Sequence, residues 1–458
     1  MAKERESGRT AGLRELDRAH VWHPFTQMRE WEGDENIIIE RGSGVWLIDT
    51  EGRRYIDGVS SLWVTVHGHR RREIDRAVRE QLGRIAHTTL LGLGSPPSIE
   101  LARRLVELAP RGLEHVFYSD NGSTAVEVAM KMAFQYWQQA GGGRHRDRQK
   151  FVAFSGAYHG DTFGSMSVGE IDIFVDKYRP LLFETFRAPY PYCYRCPLDL
   201  DRDDCGLACL DELEAILRDR RHEIAACIIE PIFEGASGMI TAPEGFLRAV
   251  RRLTRKYGIL LIADEVAAGF GRTGAMFACE KEGVSPDFLC LAKGLTGGYL
   301  PLAATLTTRK IYRAFLGRYE SYRAFFHGHT YTGNPLGCAA ALANLDIFER
   351  ERVIEGLAPK TELLGRLLRR FSDHPNVGDV RHVGLVAGIE LVRDRASKEP
   401  FPPSMRVGRR ITLAAARRGL ITRPLGDTLV IMPPLSIRPG ELRRLVDILY
   451  DSMVEVLG

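Results

Sequence analysis

Between residues 113 and 294 short apolar runs alternate with helical patterns, and that alternation leaves few architectures open. HVFYSD (115–120), KFVAFSG (150–156), ACIIEP (226–231), LLIADE (260–265) and FLCLAKG (288–294) are of strand length. TAVEVAMKMAFQYW (124–137), LDELEAILRD (210–219) and GFLRAVRRLTRKYG (245–258) between them read as helices; the first puts Ala125, Val128, Ala129, Met132 and Tyr136 on one face. Strands that hand over to helices pair in parallel and must be covered on both sides, so the expected class is α/β with a mostly parallel sheet. A chain of 458 residues can bury a large core of this kind.

In such sheets ligands sit beyond the carboxyl ends of the strands. The strand at 260 ends in Asp264 and Glu265, and the strand at 288 runs into Lys293, which Gly294, Gly297 and Gly298 surround with free space. A carboxylate and an amine at neighbouring strand ends suit pyridoxal phosphate: the lysine condenses with the aldehyde and the aspartate pairs with the protonated ring nitrogen. A carboxylate about 4 Å away favours that proton by roughly 4 kcal/mol at an effective dielectric near 20. Burial would bring the lysine below its usual range of about 10.4, as a nucleophile and proton carrier needs.

The alternative is a nicotinamide site, because GFGRTG (269–274) matches G-x-G-x-x-G. That fingerprint needs its glycines directly after a strand and opening a long helix, with an acid closing a second strand. Here Asp264 to Ala268 intervene, AMFACEKEG makes at most a short helix, and Asp287 precedes its strand.

IADEVAAGFGRTG (262–274) followed by AKGLTGG (292–298) resembles the signature of the class III pyridoxal-phosphate aminotransferases. Four further segments, HPFTQM (23–28), SSLWVTVHGH (60–69), YHGDTFG (158–164) and HGHTYTGNPLGCA (327–339), resemble the branch that makes 7,8-diaminononanoate for biotin. The similarity runs from about residue 20 almost to the C-terminus. It implies the aspartate-aminotransferase-like fold, fold type I, with residues 70–335 as a large cofactor-binding domain. Residues 1–69 would contribute to a smaller α+β domain completed by residues 336–458. It also implies a homodimer with active sites at the interface, and transamination of 8-amino-7-oxononanoate with S-adenosylmethionine as donor. Lysine is the other candidate donor. Another class III aminotransferase, for an ω-amino acid or polyamine, is the alternative.

The resemblance assigns residue roles. Lys293 and Asp264 are the catalytic pair. Gly122 and Ser123, at the N-terminus of the 124–137 helix, hold the cofactor phosphate, where free amides and the helix dipole favour an anion; by itself such a serine is an ordinary cap. Tyr158 stacks on the ring and touches substrate. His329 and Thr330 reach the phosphate from the partner subunit, with Gly328 in the substrate pocket. Arg423 grips a substrate carboxylate, a task for a planar fork. Phe25, Leu62 and Trp63 shape the pocket. Leu62 and Phe25 stand where enzymes using S-adenosylmethionine carry tryptophan and tyrosine, so they bear on the donor. Glu230 either bonds near the ring hydroxyl or is structural, and Arg272 either positions substrate or is solvated.

The remaining features narrow the class. A net charge of +4 is slight, and arginine clusters such as Arg70 to Arg72 lack interleaved aromatics, so no nucleic-acid partner is expected. No stretch has the length and apolarity of a membrane span or a signal peptide, which points to the cytoplasm and to small-molecule substrates. Residues 1 to about 20 are charged and expected to fray. Cys227, Cys279, Cys290 and Cys338 lie singly in apolar segments and read as packing residues. Cys193, Cys196, Cys205 and Cys209 have a spacing that zinc could use; free thiols are the default, zinc or a disulfide the alternatives, and no metal is assigned.

Overall fold

The computed structural model describes residues 2–33 and 36–458, with side chains from Gly8 onward. Its centre is a seven-stranded sheet. In chain order the strands are β1 (Leu113–Ser119), β2 (Lys150–Phe154), β3 (Thr185–Ala188), β4 (Ile224–Ile229), β5 (Leu260–Asp264), β6 (Phe288–Leu291) and β7 (Ala303–Thr308). Across the sheet the order is β1-β7-β6-β5-β4-β2-β3. Every neighbouring pair is parallel except the two that β7 makes with β6 and β1. β4 to β6 are buried along their whole length, as strands covered on both faces must be.

The Gly122–Gln139 helix covers one face with Ala125, Val128, Ala129, Met132 and Tyr136 buried, the stripe its spacing predicts. Its start is fixed by Asn121, whose Oδ1 accepts the Thr124 N–H at 3.0 Å while the Thr124 hydroxyl receives the Asn121 N–H at 3.1 Å. The Phe246–Lys256 helix packs its apolar side under the other face.

Two four-stranded sheets flank the centre. Ile39–Ser43, Trp46–Asp49 and Arg54–Asp57 form an antiparallel sheet, and Leu420–Ile421 adds to it in parallel beside Ile56 and Asp57. Val377–Val383, Val386–Leu391, Thr428–Ile431 and Pro424–Leu425 make the second sheet, near the packed helices Val407–Arg417 and Pro439–Leu457. No helix of the described residues is long and apolar enough to cross a membrane.

The expectation of a frayed start is corrected. Residues Ala2–His20 form a helix docked on the first small sheet. The buried Thr10 hydroxyl donates to Thr50, Arg14 reaches the Asn36 carbonyl and the Glu51 carboxylate, and Arg9 pairs with Glu40. Thr10 and Arg14 lie four apart, on one helix face, so a charged sequence is ordered by partners far along the chain.

Candidate functional site

The carboxyl ends of β1, β2, β4, β5 and β6 reach one edge of the sheet, and Leu300 to Leu302 enter β7 from the same edge. They enclose a cavity of about 430 Å³, whose wall includes Gly122, Ser123, Tyr158, His159, Glu230, Asp264, Lys293 and Trp63. Asp264 is the last residue of β5, and alternation along the strand turns it to the cavity while Glu265 faces the other way. There Glu265 accepts the amides of Ala278 and Cys279, fully buried.

Asp264 is fixed at both oxygens: His159 Nδ1–H donates to Oδ2 at 2.7 Å and the Val266 amide to Oδ1 at 3.0 Å. The Nε2 of His159 is buried without a hydrogen-bond partner among the described residues. Lys293 sits two residues past β6 at φ +42°, a left-handed conformation costing a residue with a β-carbon about 1–3 kcal/mol. Its Nζ lies 4.8 Å from the Trp63 ring centroid and makes no hydrogen bond or ion pair with a described residue. Desolvation in the cavity lowers the Lys293 pKa; Asp264 and Glu230 oppose the shift and Arg272 adds to it. Glu230 accepts the amides of Tyr158 (2.9 Å) and Gly235 (3.0 Å), and burial pushes its pKa up to about 7.

Gly122 and Ser123 occupy the first turn of the helix, where amides have no intrahelical partner. Gly160 closes over them at φ +127°; a β-carbon there would stand 2.0 Å from the Ser123 hydroxyl, so only glycine permits this approach. Phe174 lies between Phe25 and Tyr158, with ring centroids 5.3 and 5.7 Å away, and Tyr158 donates its hydroxyl to Asp161 at 2.7 Å; neither phenylalanine lines the cavity itself. The Arg423 guanidinium stands 5.3 Å from the Phe25 centroid and pairs with no carboxylate of the described residues.

Trp63 ends a turn in which Ser60, Ser61 and Trp63 all have positive φ. The turn is pinned by Ser60 Oγ–H to the Met432 carbonyl (2.7 Å) and by the Ser61 amide to the Asp57 carboxylate (2.8 Å). Arg272 is not solvated: it is 1 % exposed, and donates to the carbonyls of Pro433 (2.7 Å), Thr65 (2.9 Å) and Trp63 (3.4 Å). GFGRTG opens no helix, so the dinucleotide alternative lacks its structural context.

Some expected residues stand apart. Leu62 faces a second cavity between the small sheet and the Val407–Arg417 helix. Gly328 and Thr330 are exposed and outside this chain's cavity, while His329 Nδ1 lies 2.7 Å from Asp120 Oδ2. All eight cysteines are free thiols; Cys227, Cys279, Cys290 and Cys338 are buried, and burial raises Cys209 to about 11. Among the described residues no group of three or more His, Cys, Asp or Glu is placed to hold a metal ion.

Sequence reasoning passed over His159, Phe174 and Asp120. His159 had a signal, since it adjoins Tyr158 in YHGD after a strand end; Phe174, which belongs to no motif, had none.

The sequence pattern of the aminotransferase class-III family matches residues 28–453. Over 450 residues the chain is 59% identical to adenosylmethionine-8-amino-7-oxononanoate aminotransferase of Nitratidesulfovibrio vulgaris, covering 98% of this chain and 83% of that protein. Identity to the protein of the same name in Geobacter sulfurreducens is 55%, over 98% and 99%. The crystal structure of that aminotransferase from Methanocaldococcus jannaschii superposes with a TM-score of 0.93 at 44% identity, over 97% and 99%. An (S)-enantioselective omega-transaminase from Thermomicrobium roseum gives 0.93 at 39%, over 98% and 99%. With a family match across nearly the whole chain and a shared fold throughout, the chain belongs to the class-III aminotransferases.

Proposed function

We propose that the chain aminates 8-amino-7-oxononanoate to 7,8-diaminononanoate in biotin synthesis, with S-adenosylmethionine as donor, as a cytoplasmic homodimer. The observation that carries this reading is the 59% identity, over 98% of the chain, to a protein of that activity. In this reading residues 70–335 form the cofactor domain, and 1–69 with 336–458 the smaller one. The pairing of Leu420–Ile421 with Ile56–Asp57 supports that grouping.

The cavity suits pyridoxal phosphate, the cofactor of this class: it offers an amine without a hydrogen bond or ion pair among the described residues, a doubly anchored carboxylate and two first-turn amides at a helix N-terminus. Bound there, the cofactor would supply an electron sink for the electron pair released at the donor carbon. Lys293 Nζ, held toward its neutral form, takes the proton from that carbon and carries it onward. Asp264 presents a carboxylate to the ring nitrogen, kept in place by His159 and the Val266 amide. Gly122 and Ser123 hold the phosphate, with Thr330 and His329 arriving from the partner subunit. Tyr158 would lie against the ring, Phe25 and Trp63 would shape the pocket with Gly328 arriving like Thr330 from the partner subunit, and Arg423 would take a substrate carboxylate, while Leu62 faces the second cavity.

A second reading, an ω-amino acid aminotransferase, is favoured by the 0.93 superposition on the Thermomicrobium enzyme. Product formation from 8-amino-7-oxononanoate with S-adenosylmethionine, lysine or an ω-amino acid separates the readings. Lys293→Ala should abolish the visible absorbance of the holoenzyme and lower turnover by at least about 10²–10⁴-fold. A variant that keeps both rejects the assignment.

A further inference from the structure

The turn carrying Lys293 is gripped from a distant helix. Asn344, on the Pro335–Arg350 helix, is fully buried and donates from Nδ2 to the carbonyls of Gly294 (3.0 Å) and Leu295 (3.1 Å). These are the first two carbonyls after Lys293. We infer that Asn344 is a positioning residue, through which the Pro335–Arg350 helix fixes the backbone of Lys293 and hence the place of its amine. The inference rests on the assignment of Lys293 as the cofactor-binding amine.

The chemistry of the side chain supports it. One amide nitrogen carries two N–H donors in a fixed plane, enough to hold two successive carbonyls; a carboxylate has none and a hydroxyl one. The Asn344 Oδ1 has no hydrogen-bond partner among the described residues and lies 2.7 Å from where a β-carbon of Gly297 would be, so the turn closes tightly on the amide. The backbone of Asn344 is held in turn, because His67 Nε2–H donates to its main-chain carbonyl at 3.2 Å. Two hydrogen bonds therefore oppose relaxation of the left-handed backbone at Lys293. Without them the amine would lose its aim at the cavity while the pocket that binds substrate stayed as it is.

Two variants of the full-length holoenzyme test this. Asn344→Leu has similar volume and no donors. It should lower kcat by about 10²-fold, the cost of misplacing a reacting group by an ångström. KM for the acceptor should stay within about twofold. The midpoint at which the visible absorbance titrates with pH should move by about half a unit or more. In Asn344→Asp the substituted carboxyl regains one donor when protonated, so its kcat relative to wild type should rise on acidification. Wild-type kcat and spectrum in Asn344→Leu overturn the inference. Should that variant not fold, a pH-independent ratio for Asn344→Asp overturns it instead. Loss of the absorbance in Lys293→Ala stands apart from both results: it tests the assignment of the amine, not the clamp.

Discussion

His67 is a histidine kept neutral by its surroundings. Burial lowers its pKa to about 4, against a hydrogen bond to Asn344 that raises it, and its ring packs edge-on against Phe348 at 4.6 Å. In the unfolded chain the same imidazole takes up a proton near pH 6.5. Between these values the unfolded state binds more protons than the folded one, so stability falls as pH drops from about 6.5 toward about 4. The full effect is on the order of 3 kcal/mol. Thermal unfolding of His67→Gln should show a flatter pH dependence across that window than the parent; an unchanged slope would assign the acid sensitivity elsewhere. At this scale the sequence exposed Lys293, Asp264, Ser123 and Tyr158, because each adjoins a strand end in a motif. Asn344 was hidden: an asparagine inside an apolar helix gives no sign of which carbonyls it will meet. Arg272 was hidden for a similar reason, since its acceptors lie on segments about 160 and 207 residues away.

Among the elements, the Gly122–Gln139 helix does most to connect fold and site. Its buried stripe was legible, since a 3.6-residue period is local. Asn121→Ala removes the bond to the Thr124 amide and should cost the apoprotein about 1 kcal/mol in denaturant unfolding. With cofactor present the loss should be larger, because the phosphate seat is the same first turn and weaker binding subtracts its own stabilisation. Equal losses in both forms would separate the cap from cofactor binding. Two strands of the central sheet escaped the sequence. β3 is only TFRA, and the Arg187 guanidinium is satisfied by the carbonyls of Ser167, Val168 and Gly169, a pattern no window reveals. β7, AATLTT, is rich in hydroxyls, yet Thr305 and Thr307 lie buried, donating to the carbonyls of Ala125 and Asp287. Side chains satisfied by distant backbone make a polar strand fit for a core.

For the whole molecule, the exposed Thr330 bears on how many chains a site needs. If Thr330 serves the neighbouring subunit's cavity, two inactive variants can repair one another. Mixing subunits bearing Lys293→Ala with subunits bearing Thr330→Ala, after dissociation and reassociation, gives hybrids in half of the dimers. Each hybrid has one intact site of two, so about a quarter of wild-type activity should return. No recovery would place Thr330 in its own chain's site. The dimer was inferred from resemblance alone, since nothing in one chain's periodicity says what covers its surface.

The parallel pairing of Leu420–Ile421 with Ile56–Asp57 has a consequence for biosynthesis. The ribosome must make the 362 residues that separate Asp57 from Leu420 before that ladder can close. At 5–20 residues per second, the edge of the Arg54–Asp57 strand stays unpaired on the nascent polypeptide for roughly 20–70 s. During translation that open edge is where a chaperone should bind, and where a stalled or truncated product should begin to aggregate.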